Sequence, residues 1–75
     1  MPRFAEFEGI VVGLYFRDHP PAHFHARYQE HKAVIEIEGL CVHSGSLPPA
    51  QLRKALNWAA ENQASLRARW AELQR

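Results

Sequence analysis

The sequence predicts a small α+β domain: a mostly antiparallel sheet of four to five strands, with one long or kinked C-terminal helix packed on one face. Two observations predict it. Up to Ser44 apolar and polar residues alternate with period two, whereas from Pro49 onward the apolar residues recur with helical period. Turn-forming residues punctuate the first part at Glu8-Gly9, Pro20-Pro21, Gly39 and Ser44-Gly45-Ser46, as short strands joined by turns require.

The elements follow in order. "FAEF" and "IVVGLYFR" flank Glu8-Gly9, a two-residue hairpin turn. Pairing Phe7 with Ile10 and Ala5 with Val12 collects Ala5, Phe7, Ile10, Val12, Leu14 and Phe16 on one face, leaving Val11, Gly13, Tyr15 and Arg17 on the other. Asp18-His19-Pro20-Pro21 ends the strand, because prolines supply no ladder donors. Further strands are expected at 23–29 and 32–38, and a short last one at "LCVH" between Gly39 and Ser44. From Pro48 or Pro49 the chain reads as helix, since proline is tolerated in a first turn. Leu52, Leu56, Ala59, Leu66, Trp70 and Leu73 form one stripe, with Gln63 its polar interruption; the segment reads as one long helix or two, with a kink near Asn62.

Seventy-five residues make one domain, 1–75, with strands and hairpins over 1–43 and helix over 48–74. That is near the lower size limit for folding without a staple. The single cysteine, Cys41, excludes an intramolecular disulfide and a cysteine-rich zinc site, and is expected as a small core or sheet residue. Apolar packing must therefore build the core, completed by a homodimer contact or a small partner protein. No apolar run approaches the ~20 residues needed to cross a bilayer. The start "MPRFAEFEG" lacks a signal-peptide pattern, so a cytoplasmic protein without membrane association is expected. Net charge is +1; residues 1–45 carry four Lys/Arg against six Asp/Glu, and residues 46–75 five against two. This field is too weak to imply nucleic acid on charge alone.

"DHPPAHFHARY", residues 18–28, holds three of the five histidines. Alternation puts Phe24, Ala26 and Tyr28 on one side, and His23, His25 and Arg27 on the other. In the next strand Ala33, Ile35 and Ile37 share the apolar side. A loop centred on Glu30-His31 would pair Tyr28 with Ala33, Ala26 with Ile35 and Phe24 with Ile37, and on the polar face His25 with Glu36 and His23 with Glu38. Tyr15 and Arg17 are expected to join that face.

Three uses of such a face compete. It can be a solvated surface held by His–Glu pairs. It can hold zinc or another divalent transition metal through His23, His25, Glu36 and Glu38. It can do metal-independent acid–base chemistry on RNA, with one histidine as base, the other as acid, and Arg27 stabilising the anion; no cofactor is then needed. Trp58 falls outside the helical stripe, so it either packs against a sheet edge or serves as an interface anchor. His19, before two prolines, is expected to fix loop geometry, and His31 and His43 to face solvent.

Over essentially its whole length the sequence resembles the bacterial family known as domain of unknown function 4160. The resemblance is carried by Met1-Pro2, Gly9, Tyr15-Phe16, Asp18-His19, Pro20-Pro21, His23-Phe24-His25-Ala26-Arg27, Gly45-Ser46-Leu47-Pro48, Trp58 and Trp70. Gln29 departs from it, where members often carry glycine after the tyrosine. The resemblance implies a toxin–antitoxin-like component that binds RNA or a partner protein; the residues expected to bind are Tyr15, Arg17, His23, His25, Arg27, Glu36 and Glu38 on the polar sheet face, with Trp58 of the helix as an interface anchor. An RNase-like activity of His23, His25 and Arg27 is the enzymatic form of that expectation. A divalent-metal module and a purely structural or oligomerisation domain are the alternatives.

Overall fold

The computed structural model describes residues 3–74. Strands β1 (Arg3–Phe7), β2 (Ile10–Gly13), β3 (His23–Tyr28), β4 (His31–Glu36) and β5 (Val42–Ser46) precede helices α1 (Pro49–Glu61) and α2 (Gln63–Leu73). The strands pair in chain order and every pair is antiparallel. This is the expected α+β arrangement, with one correction: the C-terminal segment is two helices, not one long one.

The break has a local cause. Asn62, at φ −119° and ψ 19°, leaves helical geometry, and its side-chain amide donates to the Trp58 carbonyl at 2.8 Å. Next to it, the Gln63 side-chain amide donates to the Ile37 carbonyl at 2.7 Å and to the Glu38 carbonyl at 3.3 Å. A polar residue interrupts the apolar stripe because carbonyls beyond the end of β4 need a donor.

The first hairpin has the expected register, Phe7 opposite Ile10 and Ala5 opposite Val12. Its turn places Glu8 and Gly9 at φ 48° and 80°, the left-handed pair that suits a tight hairpin. Between Arg3 and Ala5 the register slips by one residue, and the extra residue is Phe4. Its ring meets Trp58 edge-on at 6.2 Å, while Phe7 stacks on the same indole at 5.1 Å and Phe24 approaches it at 6.2 Å. Trp58 therefore packs against the β1 edge of the sheet, which explains its position off the helical stripe. Of the two roles expected for Trp58, this is the sheet-edge packing.

Ile10, Val12, Leu14, Phe24, Ala26, Ala33, Ile35 and Ile37 are buried together with Ala55, Ala59 and Leu66 of the helices. Phe16, expected in this set, is 59% exposed. β2 stops at Gly13, so alternation no longer governs residue 16, and the Phe16 ring lies beneath the Arg17 guanidinium instead.

Between β3 and β4 the faces are as expected, but the register is two residues tighter. Gln29-Glu30 alone makes the turn, pairing Tyr28 with His31, Ala26 with Ala33, Phe24 with Ile35, His25 with Val34 and His23 with Glu36. Gln29 takes φ 55°, a conformation that costs an ordinary residue energy and glycine little. The last strand also differs. β5 runs through Ser44-Gly45-Ser46, expected as a turn, and Cys41 is exposed rather than in the core or sheet. Among the described residues, no helix is long and apolar enough to cross a membrane.

Candidate functional site

The helices cover one face of the sheet. On the other face, pairing places Val11 beside Arg27 and Gly13 beside His25 in β2–β3, and His25 beside Val34 and Arg27 beside Lys32 in β3–β4. His23 and His25 share this face, two residues apart on one strand. Their rings lie 5.1 Å apart.

What draws them together is Asp18, in the connection from β2 to β3. Its Oδ2 accepts from His23 Nε2 at 2.8 Å and from His25 Nε2 at 3.2 Å. Its other oxygen, Oδ1, accepts the His19 backbone N–H at 2.8 Å. One oxygen thus anchors the carboxylate to the loop while the other is presented to both imidazoles. The connection is held at both ends, by the Arg17 N–H on the Leu73 carbonyl at 2.9 Å and the Ile37 N–H on the Ala22 carbonyl at 3.0 Å. Burial pushes the Asp18 carboxyl up, but hydrogen bonds from His25, the His19 amide and His23, with the charge of His23, outweigh it. The net result is a carboxyl below its ordinary range.

His23 is the most constrained member. Its side chain is only 11% exposed and its ring packs 5.0 Å from that of Trp70. Nδ1 donates to the Pro21 carbonyl at 2.8 Å, while Nε2 faces Asp18. A carbonyl at one end and a carboxylate at the other means the ring meets only acceptors. With Nδ1 on the carbonyl, Nε2 is the nitrogen that can turn its lone pair to a cation.

His23 Nε2, His25 Nε2 and Asp18 Oδ2 lie within 4.8 Å of one another. Two zinc–ligand bonds of ~2.0–2.1 Å at a tetrahedral angle put donor atoms ~3.3 Å apart, close to the 2.8 and 3.2 Å found here. Two imidazoles and one carboxylate suit zinc and other borderline divalent ions. The Nδ1–H of His23 on a backbone carbonyl is the outer-shell contact that orients a ligating histidine.

Asp18 was not among the residues singled out by spacing. The signal available was a carboxylate five residues before His23, across a Pro-Pro reversal. The two glutamates expected in its place are engaged elsewhere. Glu36 does stand opposite His23, but its carboxylate pairs with His43 Nδ1 at 3.1 Å. The β4–β5 register slips between Val34 and Ile35, so β5 carries one extra residue there, His43, which reaches Glu36. Glu38, two residues past the end of β4, binds Arg67 of α2 through both oxygens, at 2.6 and 2.9 Å. The tighter turn is the physical reason: His23 pairs with Glu36, leaving Glu38 beyond the ladder. Hydrogen bonding from Arg67, then its charge, overcomes desolvation and lowers the Glu38 carboxyl.

Glu38→Gln is accordingly expected to leave metal affinity unchanged in a calorimetric titration. It should remove a small contribution to stability that wild type holds at neutral pH. That contribution is present above the ordinary glutamate range of about 4.3 and is lost as pH falls through the lowered value. Weakened metal binding in this variant would return Glu38 to the site.

Tyr15 lies with its ring edge-on to His25 at 4.4 Å. Beside them is a concavity of about 220 Å³ lined by Tyr15, His25, Arg27, Lys32, Val34 and Ser44, among others. Arg17 is placed over Phe16, and Trp58 lies in the aromatic packing described above; neither joins the histidines.

The family model for a domain of unknown function, DUF4160, matches residues 9–71. The chain belongs to the DUF4160 family. The match spans every donor of the Asp18–His23–His25 cluster and the strands that hold it. No curated protein and no solved structure matches this DUF4160 chain.

Proposed function

We propose that the protein binds a divalent transition metal ion, zinc in the first instance, through Asp18 Oδ2, His23 Nε2 and His25 Nε2. The observation that carries this reading is the convergence of both Nε2 atoms on one carboxylate oxygen, with His23 Nδ1 tied to Pro21. Three protein donors leave a coordination position open, the pattern of catalytic rather than structural zinc. A bound ion there supplies Lewis acidity or an activated water; Asp18 and the histidines fix its place, and Tyr15 walls one side of His25.

A second reading, binding of RNA or a partner protein on the same face as a toxin–antitoxin component, is supported by Arg27 and Lys32 standing side by side on it. The metal-independent RNase form of that reading is less well served. Both Nε2 atoms point at one oxygen rather than flanking a gap for a phosphodiester.

Protein purified without a tag and stripped by chelator is expected to bind one equivalent of zinc in calorimetry. Cobalt(II) should give the visible bands of a four- or five-coordinate nitrogen/oxygen site. Heats of dilution alone, with cobalt keeping its hydrated spectrum, would overturn the proposal.

A further inference from the structure

Arg27 and Lys32 are direct cross-strand partners, and both are exposed. Like charges directly opposite one another on a sheet destabilise it. Among the described residues, neither has a carboxylate within ion-pair distance. The acids of this face are taken: Glu6, in the same cross-strand row as Arg27, by Arg3, Asp18 by His23 and His25, and Glu36 by His43. An uncompensated cation pair therefore borders the concavity of about 220 Å³ whose other lining residues include Tyr15 and Ser44. His25 lines the same concavity, so its occupant would lie next to the three-donor cluster.

We infer that this concavity is a phosphoryl-binding subsite, with Arg27 and Lys32 neutralising the phosphoryl oxygens. The guanidinium offers a planar fork of donors and the ammonium a compact charge, a pairing suited to phosphate oxygens. Ser44 adds a hydroxyl that both donates and accepts. The Tyr15 ring, 39% exposed, offers a flat apolar surface for the carbon part of a phosphate ester. The cavity is below the ~300 Å³ of a drug-sized site, so it holds one phosphoryl group with a small substituent. The phosphoryl group has two sources, a free phosphate ester or the backbone of single-stranded RNA. The inference deepens the reading of this face as a binding surface and does not require the metal.

The test uses isotopically labelled protein in chelator, with amide shifts followed by NMR as inorganic phosphate, adenosine monophosphate or a short single-stranded RNA is added. Saturable shifts at Arg27, Lys32 and Ser44 are expected. Arg27→Gln combined with Lys32→Gln should weaken binding at least about tenfold, the loss of charge-assisted hydrogen bonds. The double variant removes a repulsion, so its melting temperature should be equal or higher and weakened binding cannot be unfolding. Binding of phosphate and the mononucleotide, lost in the double variant, supports the free-ester source. Binding of RNA alone, lost likewise, supports the backbone source. No saturable shift with any of the three, or binding unchanged in the double variant, overturns the subsite. Zinc titration of the same double variant should match wild type, so failure here and failure of the metal centre are separately visible.

Discussion

Asp18→Asn is expected to lower zinc affinity by at least about a hundredfold. Changes in the outer shell of a metal centre already cost about 10–100-fold, and this substitution removes the only carboxylate in the cluster. Asparagine keeps the shape, and its oxygen can still accept the His19 N–H that anchors the loop. Its amide group would then donate to neutral imidazoles, so the connection between β2 and β3 is retained. Competition against a chromogenic chelator measures the affinity, and circular dichroism confirms the fold. An Asp18→Asn protein that holds zinc as tightly as wild type would show that the carboxylate is not a ligand. His25→Ala, which removes a partly exposed donor at a strand position, is the companion variant if the loop substitution perturbs folding.

The largest stability effect is expected from Gly45→Ala. Gly45 sits at φ 75° opposite Ala33. A β-carbon there would fall against the Lys32 carbonyl oxygen, well inside contact distance, and 3.2 Å from the Ala33 α-carbon. These obstacles are backbone atoms of β4, so they cannot swing aside as a side chain can. β5 is an edge strand and would have to lift from its partner. A loss of about 2–4 kcal/mol follows from strained backbone plus disturbed pairing. A 75-residue domain has roughly 4–11 kcal/mol in all. The melting temperature should therefore fall by about 8–32 °C. An unchanged melting temperature would mean that β4 and β5 do not approach as closely as described.

The same region shows what sequence patterning can and cannot carry. Face assignment was legible throughout β2, β3 and β4, because burying Phe24, Ala26, Ala33 and Ile35 together puts His23 and His25 on the opposite face of the sheet. Register was not. Two- and four-residue loops both preserve the alternation, and the tighter one needs Gln29 at a positive φ where no glycine or asparagine marks the turn. The two-residue difference decided which acid stands opposite His23. Nor does alternation describe a bulge: the extra residues Phe4 and His43 sit where period two fails. Asp18 escaped notice for a related reason. It lies in a connection without regular period, and only the folded path from Arg17 to Ala22 brings it back over the start of β3.

One contact of the fold makes the centre self-reporting. The indole of Trp70 lies against the His23 ring, whereas Trp58 is wrapped in phenylalanines at the β1 edge. Emission from the first tryptophan would thus respond to an ion placed in the cluster. A paramagnetic ion seated between the histidines would dim that lamp, so occupancy can be read optically without attaching a dye.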